Sequence, residues 1–125
     1  MRDLQDIKTF AIDDVFHIVV ESPRGAAVKL KYSPELGAMS ISRPLALGLT
    51  YPCDWGFVPS TEGPEGDPIV AAPVESRRDV PLTGRIRREL EQFFIAATAL
   101  ENKDPRIVGW DGPDAAIALI RQSAT

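Results

Sequence analysis

Residues 15–43 have the sequence VFHIVVESPRGAAVKLKYSPELGAMSISR, in which two Pro- and Gly-containing turn signals separate three short runs. The first run, residues 15–21, alternates so that Phe16, Ile18 and Val20 share one side, as in a half-buried strand. Residues 27–33 and 38–43 are the second and third strand candidates. Short strands joined by short turns indicate an antiparallel meander.

The rest of the chain changes character after this meander. Residues 44–66 are rich in Pro, Gly and aromatic residues without a sustained period, which predicts an ordered loop with short extended pieces. The apolar run 69–74 predicts a buried strand. Pro81 suits the first turn of a helix, and Pro113 opens a second one. The first helix is predicted from the helical spacing of Ile86, Leu90, Phe93, Phe94 and Ala97. Strands followed by helices predict an α+β fold.

Composition limits the classes of protein that this chain can be. Its 125 residues are enough for one domain, residues 1–125, and too few for two. A net charge of -4 argues against a general nucleic-acid or anionic-membrane binder. The amino terminus and the short apolar runs favour a soluble cytoplasmic protein over a secreted or membrane-spanning one. Cys53 is the only cysteine, which excludes an intrachain disulfide, and we expect its thiol to be buried and inert.

Several segments of the chain resemble, in the same order, the active-site segments of the soluble (family I) inorganic pyrophosphatases. The resemblance covers roughly residues 12–122, with one large gap. It implies an antiparallel β-barrel of the pyrophosphatase type, related to OB folds, with two carboxy-terminal helices packed outside. The matching segments are Glu21-Ser22-Pro23-Arg24-Gly25, Lys29, Arg43, Tyr51-Pro52-Cys53-Asp54-Trp55-Gly56-Phe57 and Glu65-Gly66-Asp67-Pro68.

The family reaction is the Mg²⁺-dependent hydrolysis of pyrophosphate to two phosphates. An enzyme for so small and highly charged an anion needs cations around the oxygens, carboxylates for Mg²⁺ and a base that activates water. The resemblance implies these roles: Glu21, Glu65 and Asp67 as metal ligands, Asp67 also as the catalytic base, Lys29 and Arg43 as phosphate ligands, and Tyr51 and Trp55 as pocket wall.

The chain also departs from the family pattern. Glu65 replaces an Asp, Val70 replaces the last metal-binding Asp, and Trp55 replaces a Tyr. The segment after Val74 that would carry further metal and phosphate ligands is missing, and Ala97 and Thr98 stand where the family has a Tyr-Lys pair. Because Mg²⁺ demands near-octahedral oxygen ligation, these losses predict that hydrolysis is weak or lost.

Lys31 stands where the family has a carboxylate, and it shares a strand face with Lys29. Together with Arg43, the two lysines could hold phosphate or pyrophosphate without a metal. The competing interpretation, a solvated strand residue, is the better one for Lys31 taken alone. Three function classes stay open: a divergent pyrophosphatase, a phosphate-binding pseudoenzyme, and an interaction protein that keeps only the fold. Because a shortened barrel would expose strand edges, we also expect a homo-oligomer.

Overall fold

The computed structural model describes residues 3–73, 82–101 and 106–125. Strands occupy the amino-terminal part of the described chain and helices the carboxy-terminal part, which confirms the α+β prediction. The elements are β1 Phe10–Ile12, β2 Val15–Phe16, β3 Val19–Ser22, β4 Val28–Ser33, β5 Ala38–Pro44, β6 Trp55–Phe57, β7 Val70–Ala71, α1 Gly84–Thr98 and α2 Pro113–Ser123.

All strand pairs in the described chain are antiparallel, and they form three sheets: β1 with β2, β4 with β5, and a three-stranded sheet in the order β3-β6-β7. The second and third strands of the predicted meander are therefore confirmed as the β4–β5 hairpin, whereas the pairing of the first strand with the second was wrong, because β3 pairs with β6. Within the described residues the sheets do not join into a closed barrel, and the shortened barrel stays an expectation from the resemblance.

The prediction of one strand over residues 15–21 was wrong, because the run is divided between β2 and β3. His17 lies at the break. Its backbone N–H donates to the Thr9 carbonyl at 2.9 Å, and its ring Nδ1 lies 2.6 Å from the Lys8 carbonyl oxygen. These bonds tie His17 to the segment before β1, so the chain leaves the strand direction there. Alternation of side chains carries no information about such a break.

Side-chain hydrogen bonds connect β3 to β4. Ser22 is fully buried, and its Oγ accepts from the backbone N–H of Leu30 at 3.0 Å and donates to the Leu30 carbonyl at 3.1 Å. One residue earlier, the Glu21 carboxylate accepts from the backbone N–H of Tyr32 at 2.6 Å. Two polar side chains of β3 thus satisfy backbone groups of β4 that a regular ladder would otherwise pair.

The β4–β5 hairpin contains a one-residue irregularity. Lys29 lies opposite Arg43, whereas Leu30 lies opposite Ile41, so Ser42 has no partner across the ladder. An extra residue of this kind is a β-bulge, and it shifts the register on one side of it by one residue. As a result, Arg43 projects from the same face as Lys29.

The core forms where α1 covers the loop before β6. Phe93 of α1 packs on Tyr51 with their ring centroids 4.9 Å apart, and Leu45 completes this buried cluster. Trp55 packs against the same cluster. The aromatic residues that the sequence placed in an ordered loop therefore anchor the helix to the sheet.

The apolar run 69–74 behaves differently from its prediction. Only Val70–Ala71 forms a strand, and Val70 is 60% exposed, so its assignment as a buried strand residue was wrong. The physical reason is the topology: β7 pairs with β6 alone and lies at the edge of its sheet. Val74 lies outside the described residues.

Both predicted helices are confirmed. Helix α1 begins at Gly84, and the Thr83 hydroxyl caps it by accepting from the backbone N–H of Ile86 at 3.2 Å. Pro81 lies outside the described residues. Helix α2 begins at Pro113 as predicted, and Arg121 in its last turn pairs with Asp14, which connects α2 to the turn between β1 and β2.

Candidate functional site

Three cationic side chains meet on one face of the β4–β5 hairpin. Lys29 and Arg43 are directly opposite each other, and Lys31 lies two residues further along β4, opposite Ser40. Side chains that face each other in this way have Cβ atoms about 4.5–5.5 Å apart. Lys29 and Arg43 are half-buried, whereas Lys31 is exposed. The structure therefore brings the three predicted phosphate ligands together, and the bulge at Ser42 is what places Arg43 among them.

An open cleft of about 520 Å³ lies at the Lys31 end of this face. Its lining includes Lys31, Ser33, Ser40 and Ser42, together with the acidic residue Glu35. Ammonium and hydroxyl groups are donors for phosphate oxygens, so Lys31 and the three serines suit an anion, whereas the carboxylate of Glu35 opposes one.

Glu21 is the acidic neighbour of the cationic face. Burial of its carboxyl group raises its pKa above the usual value, and this effect outweighs three influences that lower the pKa: the hydrogen bond from the Tyr32 N–H and the charges of Lys31 and Lys29. The charge influences show that the carboxylate lies near both lysines. Here Glu21 holds the backbone of β4 and partly neutralises the lysine pair.

Arg43 makes an ion pair with Glu101, which follows α1 in a short 3-10 turn, residues 99–101. Arg43 Nη2 donates a hydrogen bond to Glu101 Oε2 at 3.0 Å. Arg43 Nε lies 2.8 Å from Oε1, although its N–H direction is not aligned for a hydrogen bond. Both carboxylate oxygens therefore lie along one edge of the guanidinium. No signal in the sequence indicated Glu101, because no motif includes it.

The other two predicted metal ligands lie on a separate exposed turn. Glu65 and Asp67 are exposed, and the turn is closed by the Gly63 N–H, which donates to the Asp67 carbonyl at 2.7 Å. Gly66 between them has φ +87°, a conformation that favours glycine. The turn therefore holds its shape through backbone bonds and leaves both carboxylates in solvent.

The predicted magnesium site requires the carboxylates of Glu21, Glu65 and Asp67 to lie close together. In residues 3–73, 82–101 and 106–125, no three Asp, Glu, His or Cys side chains are grouped so that they could share a metal ion. Glu21, Glu65 and Asp67 thus do not form a ready three-ligand Mg²⁺ site. Their assignment as metal ligands stays a prediction.

The positions where the chain departs from the family pattern have local structural roles. Ala97 packs against the core cluster, and Thr98 Oγ1 donates to the Phe94 carbonyl within α1 at 3.0 Å. Tyr51, predicted as pocket wall, is only 4% exposed and belongs to the core. Trp55 is half-buried, and its ring lies 6.0 Å from that of Tyr51. A role of either ring toward a ligand stays a prediction.

Comparison with known sequences points to one family. A family model described as inorganic pyrophosphatase matches residues 18–77. An inorganic pyrophosphatase of Thermus thermophilus is 40% identical over 70 aligned positions, covering 53% of this chain but only 40% of that relative. One from Methanosarcina acetivorans is 27% identical over 148 aligned positions, covering 85% of this chain and 88% of the relative. Because 148 positions exceed the 125 residues of the chain, this chain lacks residues that the relative has.

Comparison with solved structures agrees with the comparison of sequences. The crystal structure of the inorganic pyrophosphatase from Thermus thermophilus superimposes with a TM-score of 0.81 at 26% identity, covering 98% of this chain and 97% of that one. An inorganic pyrophosphatase from Neisseria gonorrhoeae, at 18% identity, shares the fold with a TM-score of 0.78. No helix in the described part of the chain is long and apolar enough to cross a membrane. The family model, the sequence relatives and the fold agree, and together they support a family I inorganic pyrophosphatase-like protein.

Proposed function

We propose that this protein binds pyrophosphate or phosphate through Lys29, Lys31 and Arg43, and that hydrolysis of pyrophosphate is weak or lost. One observation supports the proposal above all: the bulged register of the hairpin, which sets Arg43 directly opposite Lys29 with Lys31 on the same face. Three cations at neighbouring positions on one face of a hairpin attract a multivalent anion more strongly than isolated surface charges would.

The net charge of the chain favours a local site over a general anion-binding surface. With a net charge of -4, the protein as a whole repels phosphates, so binding has to come from a concentrated patch. The hydroxyl-lined cleft beside Lys31 adds donors that need no metal ion.

Weak or absent hydrolysis is proposed from the metal chemistry. Mg²⁺ is the ion implied by the family, and it binds through several oxygen ligands at near-octahedral geometry. The described carboxylates are not grouped to supply such a set, and the side chain of Val70 has no oxygen where the family has an Asp. Anion binding through the hairpin does not depend on these groups.

The experiment is a calorimetric titration with pyrophosphate, with and without Mg²⁺, while phosphate release is measured in the same samples. We expect binding without Mg²⁺ and little release. Replacing Lys31→Glu should weaken binding about tenfold, which corresponds to roughly 1.4 kcal/mol. The matched control is Lys8→Glu, which makes the same charge change at an exposed lysine outside the hairpin and should leave binding unchanged. If Lys31→Glu behaves like Lys8→Glu, the hairpin is not the binding site.

A divergent Mg²⁺-dependent pyrophosphatase is the second candidate. Family membership favours it, and so does Asp67, whose carboxylate is exposed on its turn and open to a ligand from solvent. In this case the same experiment gives phosphate release that requires Mg²⁺ and disappears in Asp67→Asn. Release of that kind would establish the enzyme and contradict the loss of hydrolysis.

The assembly and the location of the protein are also proposals. A homo-oligomer is supported by the exposed apolar side chain of Val70 on the edge strand β7, because edges of this kind are usually covered. Sedimentation at micromolar concentration tests it, and a monomer would contradict it. A cytoplasmic location is supported by the single buried cysteine, which needs no oxidising compartment.

A further inference from the structure

The ion pair between Arg43 and Glu101 occupies part of the proposed anion site. The two oxygens of Glu101 lie 2.8 and 3.0 Å from Nε and Nη2, which form one edge of the guanidinium. This edge is one of those that bind two oxygens of a phosphate group, since carboxylate and phosphate present oxygens to arginine in similar ways. Glu101 is therefore a built-in anion at a predicted phosphate ligand.

The surroundings make this pair stronger than an ordinary surface ion pair. The side chains of Arg43 and Glu101 are 23% and 22% exposed, so water screens the pair less than it screens exposed charges. The residues are 58 positions apart in the sequence, and their contact joins strand β5 to the end of α1. A ligand must either break this contact or bind the remaining N–H groups of Arg43 beside a negative charge.

Both routes weaken anion binding. We propose that Glu101 competes with the anionic ligand for Arg43 and so sets the affinity and charge preference of the site. This inference rests on the proposed binding function. It follows that a more highly charged anion, such as pyrophosphate, displaces Glu101 more readily than a singly charged one. Glu101 acts here as a specificity-determining residue, outside the segments that resemble the family's active site.

The test compares pyrophosphate dissociation constants by calorimetry without Mg²⁺. Glu101→Gln keeps the size of the side chain and removes its charge, and we expect binding about tenfold tighter than in the unmodified protein. The gain should shrink as salt is added, because both the pair and the ligand contacts are electrostatic. The matched control is Glu89→Gln on α1, where the lost carboxylate pairs with Arg85 at 3.1 Å. That change should leave the affinity unaltered.

Two further variants keep the test decisive. Glu101→Asp retains the charge but withdraws it by one methylene group, and it should give an intermediate gain even if Glu101→Gln folds poorly. In an Arg43→Gln background, Glu101→Gln should give no gain, because the competition acts through Arg43. A gain that persists without Arg43 would overturn the inference.

The remaining outcomes separate the inference from the proposed function. If the unmodified protein binds pyrophosphate and Glu101→Gln binds equally or more weakly, the site stands and competition by Glu101 is wrong. If neither protein binds, the proposed function fails and the inference fails with it.

Discussion

The hydroxyl group of Ser22 hydrogen-bonds both backbone groups of Leu30, accepting from the N–H at 3.0 Å and donating to the carbonyl at 3.1 Å. A single side chain thus does for β3 and β4 what two ladder bonds do between paired strands. Because Ser22 is fully buried, water cannot replace these bonds. Ser22 therefore helps to determine the position of the cationic hairpin relative to the β3-β6-β7 sheet.

We therefore expect Ser22→Ala to lower the free energy of unfolding by roughly 2–3 kcal/mol, because two backbone groups lose their partner at once. Urea unfolding measures the change. Ser42→Ala is the control: its side chain is exposed at the bulge, and the expected change is within about 0.5 kcal/mol. Equal effects of the two substitutions would mean that the Ser22 bonds contribute little.

Gly56 lies in the central strand of its sheet, between Val20 on β3 and Ala71 on β7. A Cβ atom added there would lie 1.9 Å from the Val19 carbonyl oxygen, a clash with backbone that cannot move aside easily. We expect Gly56→Ala to destabilise the protein by about 3 kcal/mol or more, or to prevent folding. Thermal unfolding followed by circular dichroism provides the measurement.

The matched control for Gly56 is Gly84, the first residue of α1. The nearest atom to an added Cβ there is the far end of the Arg88 side chain, 3.9 Å away. Because alanine has the higher helix propensity, Gly84→Ala should be neutral or stabilise by up to about 1 kcal/mol. Opposite signs for the two substitutions are expected, and a destabilising Gly84→Ala would contradict the local geometry.

Cys53 is predicted to react slowly with alkylating reagents at neutral pH. Burial raises the pKa of its thiol above the usual 9.0, the nearby charge of Asp54 raises it further, and Arg24 lowers it in part. As the pH rises past 9, the thiol ionises first in the unfolded chain, so the folded state loses stability there. Iodoacetamide labelling between pH 7 and about 10 should be slow until the upper end of that range. The same protein in denaturant is the control, and equally fast labelling of both would show that Cys53 is exposed.

Helix α1 should depend on the hydroxyl of Thr83, which accepts from the backbone N–H of Ile86. Thr83→Ala is expected to cost about 1 kcal/mol of stability, whereas Thr83→Ser keeps the cap and should cost much less. Thr83 is exposed, so loss of buried surface contributes little to the comparison. Denaturant unfolding of the Thr83→Ala and Thr83→Ser variants measures the contribution of the capping hydroxyl to stability. Equal stabilities of the two variants would show that another group caps the helix in its place.

The sequence predicted well the elements that are specified locally. The spacing of Ile86, Leu90 and Phe93 and the position of Pro113 determine the two helices, because period and capping act within a few residues. The β4–β5 hairpin was predicted for the same reason, since its turn and its alternation are adjacent in the chain.

The elements that depend on distant contacts could not be predicted. The division between β2 and β3 follows from bonds of His17 to residues that carry no strand signal of their own. The bulge at Ser42 depends on how β5 pairs with β4, and the pairing of Arg43 with Glu101 joins positions 58 residues apart. The exposure of Val70 reflects the order of strands in a sheet, which a local pattern does not encode.

The bulge at Ser42 gives the hairpin two regions with unlike tolerance to changes in length. Removing Ser42 would make Leu30–Ile41 and Lys29–Arg43 consecutive pairs and leave Arg43 beside Lys29, whereas inserting a further residue there would set Arg43 opposite Val28, on the other face. Removing one from the connection at residues 34–37 would change only the loop, provided that the strands kept their pairing. The tip of the hairpin can therefore lose or gain residues without redirecting its charges, whereas the stretch around Ser42 can lose one residue but cannot gain one.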